Sequence, residues 1–150
     1  MIKWLAIFLV SSFAERNTDE IVKVNTQKVI VNAGSDSVIK IAIEIKDGYH
    51  IQANEVKDPF IPTTLEIKGD REIIIKDKVF PPAKKFKLEG TDYYLDVYDG
   101  IFEINIFFTT KKEIRKALHH LYGQLNYQAC DSVRCLFPKT VEFSLDVEFR

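Results

Sequence analysis

Cys130 and Cys135 are the only two cysteines in this chain of 150 residues, and they carry its most specific chemistry. They lie in the run Tyr127-Gln128-Ala129-Cys130-Asp131-Ser132-Val133-Arg134-Cys135-Leu136-Phe137-Pro138, with four residues between them. Strand-like patterns flank this run on both sides, and a junction of that kind can return the chain on itself and bring the two sulfurs within bonding distance. Such a pair could exchange with other disulfides through a mixed disulfide, or it could pin a loop. As a staple it is small: loop-closure entropy gives a six-residue loop about 2 kcal/mol, against roughly 4–5 kcal/mol for a loop of a hundred residues. A short loop near the surface is also where an exchange partner can reach the sulfurs. The pattern alone leaves both roles open. The spacing is not the Cys-x-x-Cys of thioredoxin-like proteins, and the helix that such a motif caps is absent from the pattern.

Other chemistries find little support. His119 and His120 are adjacent, so in a strand they point to opposite faces and cannot readily share a metal. His50 is isolated in sequence, and two thiolates without companions do not complete a zinc site. No metal and no cofactor is therefore expected, and the three histidines read as surface or packing residues, with His50 the one that could line a functional face. Gly-x-Ser-x-Gly, His-Glu-x-x-His and phosphate-loop motifs are all missing, which leaves hydrolase and nucleotide readings without an anchor. The 11 phenylalanines and 6 tyrosines fall largely in strand-like segments, where they build core rather than a base-stacking platform.

The elements that must position the cysteines read almost entirely as strands. Val38 to Ile45 places Ile39, Ile41, Ile43 and Ile45 on one face, and Ile101 to Phe108 does the same with Phe102, Ile104, Ile106 and Phe108. Leu121 to Ala129 aligns Leu121, Gly123, Leu125, Tyr127 and Ala129; Val141 to Phe149 aligns Val141, Phe143, Leu145, Val147 and Phe149. A period of two with one apolar face marks a half-buried antiparallel strand. Weaker strands are expected at 21–24, 28–31, 64–67, 72–75 and 95–97. Turn signals divide them, among them Asp47-Gly48, Phe80-Pro81-Pro82 and Asp99-Gly100. Only Lys111 to His120 looks locally helical. About eight strands so spaced imply an all-β domain, a β-sandwich.

Composition agrees with one such domain. An apolar share of 46% supports a core, and 22 acidic against 21 basic residues give a net charge of −1, without the basic footprint of a nucleic-acid binder. Met1-Ile2-Lys3 followed by the seven apolar residues Trp4 to Val10, then Ser11-Ser12-Phe13-Ala14, has the form of an export signal. Cleavage is expected after Ala14, giving a signal peptide at 1–14 and one domain at 15–150. The apolar run is far short of the ~20 residues that span a bilayer, so no membrane span is expected in the mature chain. Export implies an oxidising compartment, where a cysteine pair can persist as a disulfide.

The stretch Tyr127-Gln128-Ala129-Cys130 with Cys135-Leu136-Phe137-Pro138 resembles the active-site loop of the N-terminal periplasmic domain of DsbD-type thiol:disulfide interchange proteins. Asp47-Gly48-Tyr49-His50-Ile51, Ile61-Pro62-Thr63, Val79-Phe80-Pro81 and Val97-Tyr98-Asp99-Gly100 follow in that family's order. The resemblance covers residues 20 to 149. It implies an immunoglobulin-like antiparallel β-sandwich, a periplasmic or otherwise exported location, and a cysteine pair that cycles between dithiol and disulfide. By the same resemblance Cys135 forms the mixed disulfide with partners and Cys130 resolves it. Thioredoxin-like or DsbD-like redox proteins are the implied partners.

The resemblance also implies Phe80 as an aromatic cap over the sulfurs, Asp77 as a nearby carboxylate, and Tyr49 and His50 as neighbours of the cysteines. Arg134 adjoins Cys135 and Asp131 adjoins Cys130, a charge asymmetry that would favour Cys135 as the attacking thiolate. Phe137 replaces a proline common in the family, and Val79 stands where an aromatic would be expected. The chain as read ends at Arg150, so the expectation is an oxidoreductase module that depends on a partner for electrons. The alternative is a non-catalytic immunoglobulin-like binding module in which the disulfide stiffens a loop.

Overall fold

The computed structural model describes residues 20–150. The expected signal peptide at 1–14 and the expected domain start at residue 15 lie outside them. Among the described residues twelve strands form the regular structure: β1 (Val22–Asn25), β2 (Val29–Val31), β3 (Ser37–Ile45), β4 (His50–Gln52), β5 (Thr64–Lys68) and β6 (Ile73–Val79). They continue as β7 (Lys84–Lys87), β8 (Tyr94–Tyr98), β9 (Ile101–Thr110), β10 (Leu118–Tyr127), β11 (Ala129–Cys130) and β12 (Lys139–Phe149). Three four-stranded sheets result, ordered β1-β3-β9-β6, β2-β12-β10-β5 and β11-β4-β8-β7. The fold is all-β, an immunoglobulin-like β-sandwich. Its strands pair antiparallel except β2, which runs parallel to β12 through Val29↔Val147 to Val31↔Phe149. Among the described residues no helix is long and apolar enough to cross a membrane.

The strongly alternating segments supply the core. Ile39, Ile41, Ile43 and Ile45 of β3 and Ile104, Ile106 and Phe108 of β9 are buried in one cluster with Leu121, Leu125 and Tyr127 of β10 and Leu145, Val147 and Phe149 of β12. Each such side chain contributes roughly 1.5–3 kcal/mol when taken fully out of water. This is what makes the register of the long pairs unambiguous: a one-residue slip of β3 against β9 would turn the isoleucines out to solvent.

The segment 111–120, expected to be helical, is not. It turns through a bond from the Ile114 amide to the Lys111 carbonyl, buries Ile114, and enters β10 at Leu118. A helical nucleus this short is costly, whereas both ends here are held by strands, including a 3.0 Å bond from the Phe149 amide to the Ala117 carbonyl. His119 and His120 do point to opposite faces. His120 is exposed beside Asp146, while His119 is buried between the Asp70 carboxylate and the Arg115 carbonyl and meets the Phe149 ring edge-on.

Gly123 sits mid-strand in β10, opposite Phe143 of β12. A Cβ there would lie 2.1–2.7 Å from three carbons of the Phe143 ring, so the ring occupies the space a side chain would take. Gly123→Ala is expected to destabilise the domain by about 1–3 kcal/mol, the usual penalty of overpacking. Urea denaturation measures this directly, and Gly123→Ala with Phe143→Leu should recover part of the loss.

Candidate functional site

Cys130 lies on the third sheet, whose strands run from two to five residues, and Cys135 on the loop that follows. The turn Asp47-Gly48, with Gly48 at φ 83°, delivers the chain into β4. The Asp99-Gly100 turn, with Gly100 at φ 63°, closes alongside it and accepts the Ile45 amide at 2.8 Å. Side chains with a Cβ strain at such angles, so both turns use glycine. β4 then pairs on one side with β8, through Ile51↔Tyr98 and Gln52↔Val97, and on the other with β11, through Ala129↔Ile51 and Cys130↔His50. All three residues of β4 are buried.

Cys130 and Cys135 are joined by a disulfide. The loop between them is held by its own polar groups. Asp131 Oδ1 accepts the Val133 and Arg134 amides, each at 2.8 Å, and the Asp131 amide donates to the Arg134 carbonyl at 2.9 Å. The Leu136 amide closes the loop on the Ala129 carbonyl at 2.8 Å. The amide hydrogen bonds hold the Asp131 carboxyl below the usual carboxylate range. The two sulfurs stand in different surroundings: Cys130 is 0% exposed, whereas Cys135 is partly open to solvent. Val133 and Phe137, on either side of Cys135 in the chain, are 77% and 90% exposed.

His50 faces Cys130 across the β4–β11 pair and stacks on Phe86 with ring centroids 4.1 Å apart. It is buried, and Nε2 has no hydrogen-bond partner. Burial pushes its pKa down, against a smaller upward pull from Asp99 and Asp131. With Tyr49, Phe86, Asp99 and Ser132 it lines a cleft of about 490 Å³ beside the cysteine loop. Tyr49 is half-buried against the core.

The remaining expected residues are placed further out. Phe80 follows β6 and stacks on Tyr98, centroids 6.2 Å apart, in the strand next to β4. Asp77 is exposed beside a bulge in β6, and its carboxylate accepts the Lys78 amide. Arg134 is exposed with Nε 3.9 Å from an Asp131 carboxylate oxygen, so its charge is shared with that acid. The structure therefore brings His50, Cys130, Cys135, Asp131 and Arg134 together, sets Phe80 against Tyr98 of the strand adjoining β4, and leaves Asp77 with a local contact.

Gln52 escaped the sequence reading. It is wholly buried, and Nε2 lies 3.2 Å from Cys130 Sγ and 3.8 Å from Cys135 Sγ. Its strand, His50-Ile51-Gln52, is buried at all three positions and too short to show an alternation, so the pattern carried no signal for it. Elsewhere, Asp70, Glu72 and His119 bring ligand atoms within 4.8 Å of one another. Both nitrogens of the His119 ring already face protein oxygens, so this group pins the β5–β6 turn.

The family described as "Thiol:disulfide interchange protein DsbD, N-terminal" matches residues 18–147. Among solved structures, the N-terminal periplasmic domain of ScsB from Proteus mirabilis superposes with a TM-score of 0.54 at 16% identity, over 85% of this chain and 45% of that one. The chain thus spans less than half the length of that neighbour. The reduced N-terminal domain of Neisseria meningitidis DsbD gives a TM-score of 0.44 at 20% identity, over 77% of this chain and 82% of that one. No curated protein matches the chain in sequence.

His50 makes stability depend on pH with a definite sign. A folded-state pKa below the unfolded value of ~6.5 means that the unfolded chain binds more protons, so this contribution is present above that pH and is lost as pH falls through the folded value. Denaturation midpoints are expected to drop between about pH 7.5 and about pH 5, and His50→Phe should shrink that drop. An equal drop in both proteins would assign the dependence to other groups.

Proposed function

Because the chain belongs to the family of DsbD N-terminal domains, we propose that it is an exported thiol–disulfide exchange module, passing electrons from a thioredoxin-like partner to substrate disulfides through Cys130 and Cys135. The observation that carries this reading is the inequality of the two sulfurs. Cys135 is accessible at the rim of a polar loop, while Cys130 is wholly buried behind it. Attack by a bulky partner is then directed to Cys135, and Cys130 is the internal group that leaves and returns.

The steps follow from that assignment. A thiolate of the dithiol partner attacks Cys135 Sγ, the bond to Cys130 breaks, and Cys130 departs with the electron pair. The partner's second thiol then displaces Cys135, leaving the partner oxidised and this chain as a dithiol. In the outward half, the Cys135 thiolate attacks a substrate disulfide, and the Cys130 thiolate resolves the mixed disulfide by attacking Cys135 Sγ. Two electrons and two protons move in each half.

The surrounding residues take supporting roles in this reading. Tyr49 and His50 wall the cleft beside the loop, Val133 and Phe137 offer apolar contact to a partner around Cys135, and Phe80 is the candidate cap. Asp77, exposed in β6 three residues before Phe80, is the candidate carboxylate of this reading. Pairing with Asp131 leaves Arg134 a weaker activator of Cys135 than an isolated cation would be. Export would rest on a signal peptide at 1–14 and a mature domain at 15–150.

Cys130→Ser leaves Cys135 free and unable to be resolved. Incubated with exported proteins, this variant is expected to accumulate a mixed disulfide with a thioredoxin-like protein, visible on a non-reducing gel and absent for Cys135→Ser. A chain that traps nothing, and whose native disulfide has a potential below about −300 mV, would instead be a binding module with an inert staple.

A further inference from the structure

Gln52 is an unusual residue to find beside a disulfide. Its side chain is wholly buried, its Nε2 donates to Cys130 Sγ at 3.2 Å, and its Oε1 is buried with no hydrogen-bond partner. A methionine or leucine would fill the same volume without leaving a carbonyl unsatisfied, which is a substantial cost in a dry site. The residue is also tightly held. The Gln52 amide donates to the Gln128 carbonyl at 3.1 Å, its carbonyl accepts the Thr63 hydroxyl, and it pairs with Val97 of β8. Its terminal amide is therefore presented to the sulfurs by a fixed backbone.

We propose that Gln52 is a catalytic residue of the exchange, a redox-sensitive amide that donates its N–H to the departing Cys130 thiolate and offers its carbonyl to the Cys130 thiol. The proposal rests on the exchange reading above and deepens it. A disulfide sulfur is a poor acceptor and donates nothing, so in the oxidised protein one end of the amide is weakly used and the other is idle. When a partner thiolate bonds to Cys135 Sγ, the Cys130–Cys135 bond breaks and the electron pair goes to Cys130. A thiolate buried there lacks water, and desolvation alone would raise its pKa and slow its departure. The Gln52 N–H, already 3.2 Å away, is the donor that replaces water.

Cys130 then takes the proton of the partner's second thiol, whose thiolate completes the partner's own disulfide and releases Cys135. The Cys135 thiolate takes a proton from water. Once Cys130 carries S–H it becomes a donor, and a half-turn of the terminal amide, whose last torsion is broad and nearly two-fold, presents Oε1 to it. The reduced protein can thus satisfy both ends of Gln52 in turn, and the oxidised protein only one. Gln52 accordingly favours the dithiol and raises the reduction potential. In the outward half its reach to both sulfurs, 3.2 and 3.8 Å, keeps the Cys130 thiolate beside the Cys135 sulfur it must attack.

The test needs no partner protein. In a Cys135→Ser background, thiolate absorbance against pH reports the Cys130 pKa; in the two-cysteine protein, equilibration with glutathione reports the potential. Gln52→Met is expected to cut the Cys130 thiolate fraction near neutral pH about tenfold, the worth of one hydrogen bond to a charged group. It should also shift the glutathione equilibrium about tenfold toward the disulfide, which is about 30 mV for this two-electron couple. Gln52→Glu keeps the shape and polarity should the methionine variant fail to fold, and its carboxylate should suppress the thiolate further. A folded variant with a lower melting temperature but unchanged thiolate titration and potential would make Gln52 a packing residue and overturn the proposal. Partner trapping by Cys130→Ser alongside unmoved Gln52 variants would sink only the role of Gln52, whereas failed trapping would sink the exchange reading itself.

Discussion

The pairing of a two-residue strand, Ala129–Cys130, with the buried strand His50–Gln52 is the contact on which the site depends. It places one sulfur in the dry interior, opposite His50 and under the Gln52 amide, and leaves the other on a loop that solvent reaches. Nothing in six residues of loop could impose that difference alone. The loop's own bonds, from the Val133 and Arg134 amides to the Asp131 carboxylate and from the Leu136 amide to the Ala129 carbonyl, only set its shape. Burial of Cys130 comes from the sheet behind it.

That sheet is in turn held by the sandwich. Its strands are too short to be stable alone, and a small antiparallel sheet needs a packed face. Ile51 and Tyr98 provide it by joining the cluster made by the long strands, while Phe80 and Phe102 flank Tyr98 with ring centroids 6.2 and 4.7 Å away. The glycine turns at Gly48 and Gly100 let the chain pass from the long strands into the short sheet and back within a few residues. Rigidity at the sulfurs is thus supplied by the apolar packing of Ile51 and Tyr98 into the core. Two of the buried side-chain atoms without a hydrogen bond among the described residues, His50 Nε2 and Gln52 Oε1, lie on this one strand. Orphaned polar atoms are costly, and both of these lie on the strand that pairs with Cys130.

Much of the frame was legible from residue patterns. The four long strands, β3, β9, β10 and β12, each alternate over eight residues or more, and burial follows the alternation residue by residue. Period-two patterning is reliable there because one face meets a core and the other meets water. It failed where that condition lapses. β4 is buried on both faces, β7 is Lys-Lys-Phe-Lys on the sheet's edge, and β11 has two residues, so none shows an alternation to read. The helical look of 111–120 failed for the opposite reason: local propensity was present, but the ends were already committed to strands.

The amino-acid sequence by itself determined that this is an all-β sandwich with a single cysteine pair at a strand junction, because apolar periodicity and residue spacing are local properties that no folding is needed to express. Membership of a thiol:disulfide interchange family was likewise written in a contiguous loop. Only the tertiary structure decided which sulfur is buried, and that Gln52, seventy-eight positions before Cys130, reaches both sulfurs. Those outcomes depend on which distant strands become neighbours. That choice is made by the summed burial of the whole core, and no window of neighbouring residues contains it.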